Sequence, residues 1–181
     1  DNIGLAYSFF RNTYGRDSYD NDGEQIEWNI HVQYRDSSNN VTLNASYSPG
    51  CDIFGASNGM NTRDIVAHEF THAVVRNEIG VPYQNQQGAL DESLADTMAA
   101  FSDGNWTIGE GSPLGVIRTM NNPPANGDPD RMSNIVMTAA DNGGVHINSG
   151  ILNKAAFLIT DGQNGFNTHN VRGMGRPKAM R

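Results

Sequence analysis

The stretch His68-Glu69-Phe70-Thr71-His72 decides how the rest of this 181-residue chain is interpreted. It reads H-E-x-x-H and lies inside the largely apolar segment 64–75. On an α-helix, residues four positions apart lie on one face, so both imidazoles can reach one metal ion with Glu69 beside them. Zinc takes nitrogen and oxygen ligands in a tetrahedron, and a catalytic site leaves one corner for water. The pattern predicts zinc bound by His68 and His72, with Glu69 placed to take a proton from that water.

The segment around the motif has the properties of a well-formed helix. Thr62 or Asn61 can cap its start, and Gly80 followed by Pro82 ends it. Its broad apolar face consists of Ile65, Val66, Phe70, Ala73, Val74 and Ile79. The alternative is a solvated helix face that carries two histidines and a glutamate by chance. The spacing and the helix together favour the zinc site, which is typical of zinc peptidases.

Length, composition and charge place the chain among globular proteins. A chain of 181 residues forms one large domain or two small ones. The mean hydropathy of -0.54 fits a soluble protein, and no apolar run approaches the roughly 20 residues that span a bilayer. The net charge of -8 argues against a nucleic-acid partner. The single Cys51 excludes an internal disulfide. No basic and apolar leader is present, so we expect that a signal peptide was either removed, as in a mature form without its signal and pro-segment, or never existed.

Periodicity predicts strands before about residue 60 and mostly helices after it. We expect a helix over residues 1–14, a half-buried strand over 28–34, a turn over 36–40 and a partner strand starting at 41–43. Segment 48–61 is rich in Gly, Ser and Asn and is expected to be a loop.

After the central helix, the pattern predicts further helices separated by Gly- and Pro-rich segments. The second helix, over residues 89–101, is expected to bury Leu90, Leu94, Met98 and Phe101. A short helix is expected over 114–120, a third long helix over 145–159, and a loop and tail from 162 onward.

These elements predict an α+β architecture with the metal site on helices beside a sheet edge. We divide the chain into a partial N-terminal α/β part over residues 1–61, the central helix over 62–80, and a helical part over 81–181.

A zinc site needs a third protein ligand, and the second helix offers two carboxylates on one face. Glu92 as ligand with Asp96 accepting a hydrogen bond from a ligand imidazole fits zinc chemistry. The alternative is one face of an exposed acidic helix. Hydrolysis of an amide also needs donors for the oxyanion, and Tyr83 or His146 could supply one, with Asp141 available to hold the imidazole.

At this point the sequence closely resembles the thermolysin family of secreted neutral metallopeptidases, the gluzincins. The resemblance covers nearly the whole chain and implies that the α+β fold is zincin-like. It is carried by segments 68–74, 83–85, 88–90, 108–110, 127–130 and 141–156, together with Glu92 and Asp96.

The resemblance implies a role for each matched position. His68, His72 and Glu92 would bind zinc, and Glu69 would activate the water. His146 and Tyr83 would stabilise the oxyanion, while Asp141 would orient His146 and Asp96 would orient His68.

The resemblance also implies residues that bind the substrate. Asn44 and Ala45 would form the edge that pairs with the substrate backbone, and Arg118 would bind a substrate carbonyl. Ile65, Ile108 and Ile117 would line an apolar pocket for the residue after the scissile bond.

The family also binds calcium near the cleft, and its ligand positions fall here on oxygen-bearing side chains, as calcium requires. The corresponding residues are Asp64, Asp103, Asn105, Thr107 and Glu110. Asn105 and Thr107 replace carboxylates, and the segment between Asp103 and Trp106 is short, so we expect one structural calcium ion. The alternative is an acidic loop without metal.

The chain departs from the family in length, since it is shorter at both ends. The first hypothesis is a secreted, monomeric zinc endopeptidase that cleaves protein and peptide substrates before bulky apolar residues. The second is a catalytically silent remnant or fragment that binds metal and acts as a binding or structural module. A calcium-dependent adhesion domain is disfavoured because the acidic residues are few and local.

Overall fold

The computed structural model describes residues 1–181, and the chain is α+β, as the sequence predicts. The helices and strands, in chain order, are α1 Asn2–Tyr14, β1 Glu27–Ile30, β2 Tyr34–Arg35, β3 Val41–Thr42, β4 Ala45–Ser48, β5 Ile53–Ala56, α2 Arg63–Glu78, α3 Asn85–Asp103, β6 Thr107–Ile108, β7 Arg118–Thr119, α4 Asp141–Thr160, β8 Gly162–Phe166, β9 His169–Arg172 and α5 Arg176–Ala179. None of these helices has the length and apolar character needed to cross a membrane.

The N-terminal part carries a three-stranded sheet in the order β1-β5-β4. β5 is the central strand, parallel to β1 and antiparallel to β4. Phe54 of β5 is fully buried and its ring stacks on Trp28 of β1 at 5.7 Å between centroids. β4 is therefore left as an edge strand, with one side free to form backbone hydrogen bonds.

α2 is the centre of the fold and is buried on nearly every side. Phe70, on the helix face opposite the two motif histidines, packs against Phe10 of α1 and Phe54 of β5. The main core is built around these rings and includes Val66, Ala67 and Ala73 of the same helix. Sheet, α1 and α3 thus hold the helix that carries the H-E-x-x-H motif.

The buried face of α3 differs from the predicted apolar stripe. Leu90 is 41% exposed, whereas Glu92 and Asp96 are 0% exposed. α3 turns its small residues and its carboxylates toward α2 because this face lies against the two motif histidines. Ala95, Ala99 and Ala100 have no exposed surface and permit the helices to approach closely. Of the predicted stripe, Phe101 is buried, Leu94 and Met98 are half-buried with Met98 packed against the main core, and the prediction is wrong for Leu90.

Three further predictions of secondary structure are wrong in part. The strand over 28–34 is interrupted at His31, which has a left-handed φ of 61°, so that β1 and β2 join different sheets. The predicted loop 48–61 contains β5, and the segment 114–120 contains β7 instead of a helix. The predicted tail forms the β8–β9 hairpin and the short helix α5. The helices over 1–14, 62–80 and 145–159 are confirmed.

Candidate metal centre and active site

Three side chains from two helices converge at the floor of a cleft. His68 and His72 come from α2, Glu92 comes from α3, and one ligand atom of each lies within 4.8 Å of the others. The two histidine Nε2 atoms are 3.0 Å apart. The Glu92 carboxylate lies 3.5 Å from Nε2 of His68 and 3.3 Å from Nε2 of His72. Ligand atoms bound at about 2.0–2.1 Å around a tetrahedral ion lie about 3.3–3.4 Å apart, so these separations suit zinc.

The second nitrogen of each imidazole faces a carboxylate. Nδ1 of His72 lies 2.9 Å from Oδ1 of Asp91. Nδ1 of His68 lies 2.9 Å from Oδ1 of Asp96, in a close but bent contact. Carboxylates in these positions hold the proton on Nδ1, so both Nε2 atoms present lone pairs to each other and to Glu92. Apart from the Tyr83 hydroxyl, which donates to Glu92, no donor lies among these three acceptors, and such an arrangement forms a site for a cation.

The charges around the triad lead to the same conclusion. Burial lowers the pKa of His72, but the hydrogen bonds that His72 donates to Asp91 and Glu92 outweigh burial and raise that pKa well above its usual value. Burial raises the pKa of Glu92, and His72 with His68 lowers it well below its usual value. Oε2 of Glu92 is buried and has no hydrogen-bond partner. The cluster has excess negative charge that protons or a metal ion must balance.

Asp91 is a site residue that sequence reasoning missed. It is 8% exposed and adjoins Glu92 on α3. The sequence did contain a signal for it, because every ligand imidazole needs a hydrogen-bond partner for its second nitrogen. Asp96 is assigned to His68, which leaves His72 without such a partner. Asn153 was also missed, and its amide donates to Oδ2 of Asp96 at 2.8 Å.

Asp96 links the metal centre to Arg118. Nε and Nη2 of Arg118 donate to Asp96 at 2.7 and 2.8 Å. Burial opposes ionisation of Asp96, but Arg118 and His68 lower its pKa to about 2. Asp96 therefore remains a carboxylate, and Arg118 is held at the cleft wall with its remaining N–H groups available.

Tyr83 and His146 lie together at the opposite rim of the cleft. Tyr83 precedes α3, and His146 lies in the first turns of α4. The Tyr83 hydroxyl donates to Oε1 of Glu92 and lies 3.2 Å from Nε2 of His146. Oδ1 of Asp141 lies 2.5 Å from Nδ1 of His146, and its Oδ2 accepts from the His146 backbone N–H at 2.9 Å. Burial and then the charge of Glu92 raise the pKa of Tyr83, so its hydroxyl keeps its proton.

A local backbone kink positions His146. Residues 142–144 have left-handed φ values of 50°, 88° and 79°. Glycine adopts this conformation without steric cost, which explains Gly143 and Gly144. The kink turns the chain so that Asp141 reaches back to the His146 side chain five residues later.

The cleft encloses about 500 Å³ between α2 and the free edge of β4. Glu69 is 7% exposed and lines the cleft beside the histidines. Asn44 and Ala45 lie along the β4 side. Ile65, Ile108 and Ile117, the residues predicted to form an apolar pocket, also line this cleft.

Four of the predicted calcium residues, Asp103, Asn105, Thr107 and Glu110, are joined by hydrogen bonds to Asn105. The Asn105 amide nitrogen donates to both Asp103 and Glu110, and its Oδ1 accepts from the Thr107 N–H at 2.8 Å. Asp64 instead bonds the Thr62 hydroxyl at 2.5 Å and the Gly109 N–H. Burial, Asp64 and Glu110 raise the pKa of Asp103, which shows that negative charges are close together here. Oε2 of Glu110 is buried without a partner.

Two family models together match almost the whole chain. The model described as thermolysin metallopeptidase, catalytic domain, matches residues 2–76. The model described as thermolysin metallopeptidase, alpha-helical domain, matches residues 80–181.

Individual relatives agree with these matches. Bacillolysin from Brevibacillus brevis is 40% identical over 94% of this chain and 33% of its own length. Neutral protease B from Bacillus subtilis is 38% identical over 89% of this chain and 31% of its own. The solved precursor of protealysin, a metalloproteinase from Serratia proteamaculans, superposes with a TM-score of 0.72 and 28% identity over 88% of this chain and 57% of that one. The chain spans about a third of the length of the curated relatives it matches.

Proposed function

This chain belongs to the thermolysin family of metallopeptidases, and we propose that it acts in a zinc endopeptidase that hydrolyses peptide bonds of proteins before bulky apolar residues. The observation that carries the proposal is the convergence of the two histidine Nε2 atoms on the buried Glu92 carboxylate, in a cleft that also contains a free carboxylate, Glu69. His68, His72 and Glu92 would hold the zinc ion. When bound, zinc would polarise the substrate carbonyl and acidify a nearby water molecule.

Each step of proton transfer has a residue of this chain to perform it. Glu69 takes the proton from the attacking water as oxygen bonds to the carbonyl carbon. It then gives that proton to the nitrogen of the leaving amine as the C–N bond breaks. Its low exposure of 7% keeps bulk water from competing for the proton.

The opposite rim stabilises the oxygen that gains negative charge. Tyr83 and His146 both direct polar atoms toward Glu92 and therefore toward the reacting carbonyl. Asp141 fixes the His146 ring by its contact with Nδ1, so that Nε2 faces the cleft. Donors placed in advance at a developing charge lower the barrier without reorganisation.

The substrate backbone is held along the free edge of β4. Ala45 supplies backbone groups there, and a peptide would add to the sheet as a further strand. The backbone N–H and C=O of Asn44 are both bonded to Ser57, so Asn44 would contact the substrate backbone through its side-chain amide. Arg118, fixed by Asp96, binds a substrate carbonyl with its remaining N–H groups. The pocket of Ile65, Ile108 and Ile117 takes an apolar side chain after the scissile bond.

Zinc content and peptidase activity test this proposal together. We expect one zinc per chain and cleavage of a fluorogenic peptide that is lost on treatment with a chelator and regained with zinc. Zinc uptake without any hydrolysis would instead support the second candidate, a silent metal-binding module. The presence of Glu69, Tyr83 and His146 around one cleft favours the enzyme.

We also propose one structural calcium ion at Asp103, Asn105 and Glu110. The buried, unpartnered Oε2 of Glu110 and the crowding of carboxylates support a cation there. The Asn105 amide nitrogen must release both carboxylates for calcium to enter. Calcium should raise the melting temperature of zinc-loaded protein, and Asp103→Asn should remove the effect. An unchanged melting temperature would show that the Asn105 amide takes the place of the ion.

We propose further that the protein is a monomer and acts outside the cell. Sedimentation of the purified chain and immunodetection in culture medium against cells test these two statements.

A further inference from the structure

Arg76 occupies the end of the cleft opposite the apolar pocket. Ile65, Glu69, His72 and Arg76 follow one another at helical spacing on the cleft face of α2. Glu69 to Arg76 is seven residues, or about 10 Å along the helix axis. An extended peptide covers about 3.3 Å per residue, so this distance corresponds to about three substrate residues.

The Arg76 side chain is exposed and forms no hydrogen bond or ion pair within the chain. The carboxylates around it have other partners. Glu78 pairs with Arg16, Asp91 with His72, and Asp52 accepts from the Tyr47 hydroxyl at 2.5 Å. Arg118, the other arginine of the cleft, is bound by both oxygens of Asp96. Arg76 is thus the one arginine in the cleft whose charge is uncompensated.

We propose that Arg76 is a specificity-determining residue that selects substrates with an acidic side chain two or three residues from the scissile bond, on the side away from the apolar pocket. The inference rests on the proposed peptidase function. Because the apolar pocket is proposed to receive the residue after the bond, the acidic residue lies on the amino-terminal side. A guanidinium binds a carboxylate with two parallel N–H donors, which suits Asp and Glu.

The cleft offers apolar surface around this guanidinium. Tyr47, Pro49, Val81 and Pro82 line the cleft, and Val81 and Pro82 follow α2 a few residues beyond Arg76. These groups displace water from a bound substrate side chain. The methylene groups of that side chain pack against them, while its carboxylate forms an ion pair with Arg76. The same surroundings disfavour Lys or Arg, whose charge would be repelled.

Arg76 also has an ordinary structural interpretation. It lies in the last turn of α2, where a positive charge complements the helix dipole. That role predicts lower stability for its variants but no discrimination between peptides, so peptide selectivity separates the two interpretations.

The test measures binding separately from hydrolysis. Zinc-loaded Glu69→Gln protein is titrated into fluorescein-labelled octapeptides that carry Phe after the scissile bond and Asp, Asn or Lys at the second or third residue before it. We expect the Asp peptide to bind about three- to tenfold more tightly than the Lys peptide, since exposed ion pairs are worth up to about fivefold and repulsion adds to the difference. The ratio should shrink in 0.5 M NaCl because salt screens exposed charges.

Variants assign the effect to Arg76. Arg76→Gln in the same background should remove the preference, Arg76→Lys should keep part of it, and Arg76→Glu should reverse it. Arg172→Glu, an equal charge change on the exposed strand β9, is the matched control and should leave the ratio unchanged. Equal affinity for Asp and Lys peptides, a preference that survives Arg76→Gln, or no binding of any peptide would overturn the proposal. Failure of hydrolysis with the binding preference intact would count against the peptidase function alone.

Discussion

The most informative side chain outside the ligand triad is Asp91, and Asp91→Ala should weaken zinc binding. Oδ1 of Asp91 lies 2.9 Å from Nδ1 of His72, and both side chains are nearly enclosed, with 11% and 13% exposure. Removing the carboxylate leaves the Nδ1 proton without its partner and takes a negative charge away from the bound cation. Loss of such a partner typically costs 10- to 100-fold in metal affinity, or about 1.4–2.8 kcal/mol.

Two comparison variants sharpen the measurement. Asp91→Asn keeps an acceptor for Nδ1 but removes the charge, so its loss should be about tenfold or less. Asp22→Ala changes an exposed aspartate far from the cleft and should bind zinc like the original chain. Zinc dissociation constants come from competition with a chromophoric chelator. A dissociation constant for Asp91→Ala within about twofold of the original would refute the reasoning that Asp91 holds the His72 proton.

Further predictions concern the rim, the core and the packing of α3. Tyr83→Phe should lower kcat roughly 100-fold with zinc content unchanged, because one oxyanion donor is lost; an unchanged kcat would remove Tyr83 from the reaction. Phe70→Ala should lower the free energy of unfolding, measured with urea, by about 3–5 kcal/mol, since Phe70 is 0% exposed and packs among aromatic rings. A decrease below about 1 kcal/mol would show that the core relaxes around the gap. Gly88→Ala should lower the free energy of unfolding by about 1–3 kcal/mol, because the added Cβ would lie 2.5 Å from Cγ1 of Val145. Gln87→Ala, on the exposed side of the same turn, is the control.

The motif, the helices and the α+β class were predictable because they depend on local patterns. H-E-x-x-H places its histidines by helical periodicity alone. The long helices α1, α2 and α4 follow apolar spacing and Gly or Pro boundaries. Their ends were correct to within a few residues.

The elements that were missed depend on contacts between distant residues. β5 lies in a segment rich in turn-forming residues and becomes a strand because β1 and β4 pair with it on both sides. α3 exposes Leu90 because its carboxylates are needed against α2, an arrangement that average hydrophobicity does not show. Asp91 was hidden for the same reason, since an acidic residue beside Glu92 looks like a solvated helix face until the His72 contact is known.

The central claim is that one zinc ion at His68, His72 and Glu92 works with Glu69 as the proton acceptor. Its most direct test is Glu69→Gln, assayed in parallel for zinc content by mass spectrometry and for hydrolysis of a fluorogenic peptide. The account predicts one zinc per chain in both proteins and hydrolysis only in the original. Full hydrolysis by Glu69→Gln, or an original chain that binds no zinc, would contradict it.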